Sequence, residues 1–577
     1  MNERTKTGLE VLQASFLLGI LGNVLLRQMP WGLNVFLFVA AFVTAAVMLV
    51  LRRKAAFWTG QNAALFGAML FFSAMFVWRD SIELRLYDTF AILTIMGVLM
   101  LPAMKVKATV SGVFHYAVGF VWSGINSAFS PAVLLLSDIK WASIPKTGWS
   151  KHVLSTIRGL LIALPIILVF GALFVAADAV YQGLVERVFN VPAETIFTHL
   201  LLTAVFFWLS AGYFRGLLFE LGVRDTAVPA ESSNTSDTQN LSIFEQVKAE
   251  ETVNPDALPD NATILDHINK SDPPNAEPAP PPVEKKKWQW QNFDNSIMPQ
   301  AFTLGVVETS IVLGLINLLF LSFVIVQIPY LFGGMDLVQN TPDFKLAEYA
   351  RRGFGELVAV TALVLPILLL SHWLLRKDSP VNEKIYRVLA GVQIVLLFVI
   401  MASAVQRLFL LTGNLGYGLT TVRFYPMVVM IWFAIVFVWF GLTVLRGARQ
   451  HFAWGALWSA FFVLGAIHVV NPDDFIVRTN IRLMNEGRVF DSRYNSHLSG
   501  DAIPALLESV NSMSYENQCV VKSKLNDRLI HSRAENDLRS WNWSRSKALA
   551  GLENVSGALD TAGCPDHLRW SGYREDF

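Results

Sequence analysis

The residues whose types and spacing could do chemistry gather in one short box, Ala347–Leu357. On a helix, Glu348, Arg352 and Glu356 fall at i, i+4 and i+8, so one guanidinium could pair with a carboxylate a turn away on either side. Arg351 adds a second cation. Glu356 lies inside or at the mouth of an apolar run, where an ionisable side chain is costly and points to a functional role. Glu308 sits about a turn into another such run, with Asn317 and Gln327 further along. It could pair with an arginine of the box or relay protons. Glu308, Glu348, Arg351, Arg352 and Glu356 therefore form the candidate polar cluster. A structural reading stands beside it: arginines that pin a helix end at the membrane surface, and a protonated Glu308 that only packs.

Other reactive residues give weaker signals. His115, His199, His372 and His468 are scattered near span boundaries without ligand spacing and read as interfacial histidines. Asp88 follows Arg85 closely enough for a local ion pair. Gly413, Gly416 and Gly418 lead into Leu419–Arg423 but lack the strand, helix and Lys-Ser/Thr of a phosphate loop. There is no GxSxG, HExxH, paired CxxC or Walker motif. No cofactor, metal or nucleic acid is expected, and enzymatic activity is left open with the balance against it.

The elements that must position these residues are membrane spans. The chain has 577 residues, 53% hydrophobic and only 16% charged, against roughly 25% charged in a soluble domain. A span needs about 20 apolar residues to cross a core of roughly 30 Å. Runs that meet this begin near Leu9, Trp31, Phe57, Leu84, Ile157, Phe197, Thr303, Gly353, Val388, Phe424 and Phe452, about eleven in all. They must be helical, because hydrocarbon offers the backbone no partners. The fold class is thus all-α, a polytopic transmembrane helical bundle. Residues 110–136 are apolar but broken by Gly112, His115, Gly119, Gly124, Asn126 and Pro131. This stretch could be a further span, a re-entrant segment or an interfacial helix. If it does not cross, Arg52–Lys54, Lys105, Lys107, Lys140, Lys146, Lys151, Arg376, Lys377, Lys384, Arg387, Arg446 and Arg449 share one side. The positive-inside rule makes that side cytoplasmic and favours the non-crossing reading.

Four regions follow: a first membrane block at 1–223, a disordered cytoplasmic linker at 224–300, a second block at 301–470 and a helical extramembrane tail at 471–577. The linker is rich in Pro, Ser, Asn and Asp and cannot bury enough apolar surface to offset chain entropy. It closes on Lys285–Lys287 beside Trp288 and Trp290, which suits an anionic leaflet or an ordinary stop signal. In the tail, Ile503, Leu506, Leu507 and Val510 recur at helical spacing. Asp501 can cap that helix, with Pro504 in its first turn. The only two cysteines, Cys519 and Cys564, lie in the tail. In an oxidising compartment they can form a disulfide. The charge bias puts the N-terminus inside and the tail outside.

The box Ala347–Leu357, the Gly418–Arg423 element and the tail residues Asn471–Pro472, Asn480, Asp491, Tyr494, Leu498–Ser499, Asp501–Leu506, Arg539–Asn542 and Ser544–Arg545 resemble a bacterial multi-pass family. That family is known only as a domain of unknown function (DUF4173-like, related to DUF4153). The resemblance covers mainly residues 300–550. The first block matches in hydropathy alone, and the linker looks like an individual insertion. The resemblance implies a bacterial inner-membrane location and brings no activity. Two functions stay open: transport or handling of a lipid or envelope precursor, and a non-catalytic scaffold whose tail binds an envelope protein. An enzyme acting on a lipid or cell-wall intermediate ranks lower.

Overall fold

The computed structural model describes residues 2–141, 193–219, 303–332, 354–376, 379–409, 412, 418–534, 537–559, 561 and 563–569. Among these, eleven helices are long and apolar enough to cross a membrane, which makes the chain a multi-pass membrane protein. The membrane helices are α1 (Glu3–Leu26), α2 (Leu33–Arg53), α3 (Gly60–Trp78), α4 (Ile82–Leu99), α5 (Val113–Val133), α6 (Ala193–Leu218), α7 (Val306–Phe332), α8 (Phe354–Leu374), α9 (Pro380–Phe409), α10 (Thr421–Thr443) and α11 (Phe452–Val470). The apolar run near Ile157, the linker, and Glu348, Arg351 and Arg352 lie outside the described residues.

Local chemistry sets the helix ends. Asn2 caps α1 by accepting from the Arg4 N–H, and Thr59 caps α3 by accepting from the Asn62 N–H. Asn471, at φ 58°, stops α11, and Pro472 starts the next helix at its first position. The span and the tail therefore meet at a sharp corner.

Side-chain contacts sort the helix ends into two sets. At one end Asp138 binds Arg4 of α1 at 2.7 Å and Arg215 of α6 at 2.6 Å. Arg53, which closes α2, pairs with Glu3 and Glu10 of α1. His451, just before α11, meets the Thr109 carbonyl at 3.2 Å. Leu304 bridges to Leu375, so α7 begins where α8 stops. This end gathers Arg52–Lys54, Lys105, Lys107, Lys140, Arg376, Arg387 and Arg449, and we refer to it as the basic end. The opposite end carries the tail. There the Leu33 N–H donates to the Trp541 carbonyl at 2.9 Å and Arg27 donates to Thr198 at 3.1 Å.

The ambiguous stretch is a helix with a distinctive course. The turn that leads into α5 contacts the start of α11 at the basic end, and Asp138 beyond its far end contacts Arg4 and Arg215, also at the basic end. Between them α5 rests on the closing turns of α4 and α6. Gly97 and Gly119 let α4 and α5 touch backbone to backbone: a Cβ on Gly119 would lie 2.6 Å from the Gly97 carbonyl oxygen. Gly212 and Gly216 give the same clearance to Asn126. Both ends of α5 thus lie at one end of the bundle, although its length and composition would suffice for a crossing.

The tail adds α12 (Pro472–Asn485), α13 (Ser492–His497), α14 (Ile503–Ser509), α15 (Tyr515–Ala534) and α16 (Trp543–Asn554). Ile503, Leu506 and Val510 are buried together, as their spacing suggests. Their core runs without a break into Leu84, Phe424, Tyr425 and Ile467 of the bundle. Each such buried side chain stabilises by roughly 1.5–3 kcal/mol. The tail is therefore seated on the bundle and does not hang free. Cys519 and Cys564 are joined as a disulfide.

Candidate functional site

Of the candidate cluster, Glu308 and Glu356 lie among the described residues, and those two do not meet. Glu308 is exposed in the first turn of α7, at the basic end, just after Leu304, which bridges to Leu375. Glu356 is exposed in the first turn of α8, about 27 Å away along that helix at 1.5 Å per residue. The two carboxyls therefore belong to opposite ends of the bundle, and no single arginine could serve both. Asn317 and Gln327 are buried on α7 instead: Asn317 donates to the Leu389 carbonyl at 2.9 Å, and Gln327 accepts from Arg407 at 2.9 Å.

The dense polar site lies where the tail meets the bundle. Its centre is Asp501, 3% exposed. Asp501 accepts from the Asp80 N–H at 2.7 Å, from Ser544 Oγ at 2.6 Å and from Arg79 Nη1 at 3.3 Å. Asp80 accepts in turn from the Gly500 N–H at 3.0 Å and Arg545 Nη1 at 3.1 Å, and it pairs with Arg85. Asn542 caps α16 through the Arg545 N–H and donates to the carbonyls of Phe76 and Arg79, which terminate α3. One turn of the tail thus satisfies the orphan carbonyls of a membrane helix. Asp501 does not serve as the expected helix cap, because its carboxylate is turned onto α3 and α4; Ser499 accepts from its N–H instead.

Two buried acids border this seam. Asp473 is held by Ser499, and burial, with Glu83 and Asp501 adding to it, pushes it up to about 6 despite the opposing Ser499 hydrogen bond. Asp88 lies on the inner face of α4 and meets His468 Nε2 of α11 at 3.0 Å, with both side chains at most 1% exposed. The expected local Asp88–Arg85 pair is absent because Arg85 turns to Asp80. His468 is likewise a core residue, not an interfacial one. Its Nδ1 is buried without a hydrogen-bond partner. Arg79 Nε donates to the His468 backbone carbonyl at 2.8 Å, which links the pair to the seam.

Below the seam, a cavity of about 450 Å³ lies between α4, α10 and α11, with Val113 and Tyr116 of α5 at its far side. Its wall is apolar. Ala453, Ala456 and Ala460 recur along one face of α11, where short side chains leave room. Phe90, 61% exposed, forms an outer lip of the cavity. Tyr87 and Tyr425 stand toward the tail end, where the Tyr425 hydroxyl meets Ser81 Oγ at 3.2 Å. The volume falls within the roughly 300–1,000 Å³ of small-ligand sites. Among the described residues no group of His, Cys, Asp and Glu could hold a metal ion.

Sequence reasoning missed the seam because its partners lie more than four hundred positions apart, as with Asp80 and Asp501, separated by 421. Their only local signal was a polar residue at a span end. A family model described as a domain of unknown function (DUF4153) matches residues 66–247 and 269–509. The match takes in much of the first block, which had matched in hydropathy alone, and all of the linker but 248–268, so most of that segment is not an individual insertion; it stops at 509, before Arg539–Asn542 and Ser544–Arg545. No curated protein and no solved structure matches the chain.

Proposed function

The chain belongs to the DUF4153 family of domains of unknown function, and on that premise we propose that it is a lipid-handling membrane protein that holds an apolar chain in the groove beside α4. The observation that carries this reading is the 450 Å³ apolar cavity within the spans, edged by an exposed Phe90 and by tyrosines toward one end. A hydrocarbon chain entering from the bilayer would exchange lipid contacts for Ala453, Ala456, Leu457, Phe461 and Leu464. A headgroup would stay near Tyr87 and Tyr425. Ion transport through the Glu308–Glu356 set draws no support, since those carboxyls lie at opposite ends. The scaffold reading draws less, because the tail spends its buried polar groups on its own bundle.

The basic end is assigned to the cytoplasm of a bacterial cell, at the inner membrane, with the tail outside. The positive-inside rule supports this, as does a disulfide in the tail. On this assignment α5 lies along the cytoplasmic face and does not cross. A reporter fused after residue 577 should be active only outside the cytoplasm.

The test of the groove is Ala456→Trp, which fills it from the α11 side. Native mass spectrometry of the detergent-extracted protein should find a co-purified lipid on the wild type and little on the variant. Equal lipid occupancy in both, or none on the wild type, would refute the reading.

A further inference from the structure

The turn that carries the seam also presents apolar side chains outward. Leu538 is 81% exposed, Trp541 38% and Trp543 56%, and the two indoles meet edge-on at 6.5 Å. Large apolar groups facing water are unfavourable, and a contiguous set of them marks a contact surface.

The level of this turn identifies the contact. Arg539 Nη1 donates to the Val24 carbonyl at 2.7 Å, and Val24 lies two residues inside the end of α1. Trp541 O accepts from the first N–H of α2, and Asn542 holds the end of α3. Residues 538–543 therefore sit level with the last turns of α1 and α3 and the first turn of α2. Beside them Val24 (47% exposed), Met29 (60%) and Trp31 (38%) continue the outward apolar surface of α1 and α2. Trp rings prefer this depth, where an apolar body meets a polar N–H. The one cation on the turn, Arg539, is neutralised by Asp537 at 2.6 Å.

We infer that Leu538, Trp541 and Trp543 anchor the C-terminal domain in the interfacial layer of the bilayer, so that the domain binds lipid directly as well as the helix bundle. The partner is the headgroup and glycerol region of the adjoining leaflet. The anchor depends only on the chain spanning the membrane and stands whether or not the groove holds a lipid.

The two native cysteines are bonded to each other, so Leu538→Cys provides a single thiol for a nitrobenzoxadiazole label. Leu538 is exposed enough for the change to spare the fold. Phe16→Cys, 56% exposed midway along α1, gives a bilayer-centre reference. The full-length labelled proteins are reconstituted into phosphatidylethanolamine–phosphatidylglycerol vesicles containing lipids doxyl-labelled at carbon 5 or carbon 12. Quenching at position 538 should be at least about twofold stronger from carbon 5 than from carbon 12, with the reverse order at position 16. Two results would overturn the anchor. One is no quenching of the 538 label by either lipid, with full quenching by aqueous iodide. The other is protection of the label from both lipids and iodide, which would mean that a protein covers the turn.

Discussion

Replacing Asp501 by asparagine removes one charge and almost no volume, so its effect isolates the electrostatics of the seam. The carboxylate accepts from the Asp80 N–H, Ser544 and Arg79 while 3% exposed. An amide supplies one acceptor oxygen in place of two, and its NH₂ would face a donor. At least one buried donor loses its partner, and the Arg79 interaction loses its charge. With no solvent to screen the loss, the combined cost is about 3–4 kcal/mol. If the tail lifts from the bundle as a unit, its opening equilibrium should rise roughly 100- to 700-fold, at a factor of ten per 1.4 kcal/mol. Hydrogen exchange in detergent micelles reads this at residues 499–506 and 543–548, with α9 and α10 as internal standards. Exchange of those segments within about twofold of wild type would refute the claim that Asp501 clamps the tail.

Two further perturbations test the neighbouring acids. Because Asp473 is raised to about 6 from 3.8, its contribution to stability is present below about pH 4 and lost as pH rises through 6. The loss is about 3 kcal/mol. Asp473→Asn should flatten that slope and stabilise the tail at pH 7, as measured by urea unfolding at several pH values; an unchanged slope would place the dependence elsewhere. Asp88→Leu alone should cost about 2–3 kcal/mol, since it strands His468. The double variant with His468→Leu should cost less than the sum of the singles by about 1–2 kcal/mol in thermal unfolding, and strict additivity would mean the two side chains do not interact.

The membrane part was legible because a span is a local property: about 20 apolar residues state their own fate. The course of α5 was less so. Its glycines read as helix breakers, yet Gly119 permits a close crossing with Gly97, which no window of sequence can display. Glu356 and Glu308 show the opposite case, since spacing along one helix says nothing about which end of another helix it meets, and Glu308 lies at the far end from Glu356. Asp501 was expected to cap the next helix for a local reason, but its carboxylate is taken by Asp80, Ser544 and Arg79, partners that only the fold brings near. His468 and Asp88 each looked ordinary, because a buried pair drawn from two blocks leaves no pattern in either.

The reach of the Asp80–Asp501 contact also bears on how the molecule is made. At roughly 5–20 residues per second, a ribosome needs about 20–80 s to travel the intervening chain. Throughout that interval the ends of α3 and α4 stand assembled with their acid and arginines uncovered. A nascent chain released early would keep those groups uncovered. The closing turn of the tail is therefore the last piece the corner receives, and any chain that ends before residue 500 leaves Arg79 and Asp80 without the partners that Gly500, Asp501 and Arg545 supply.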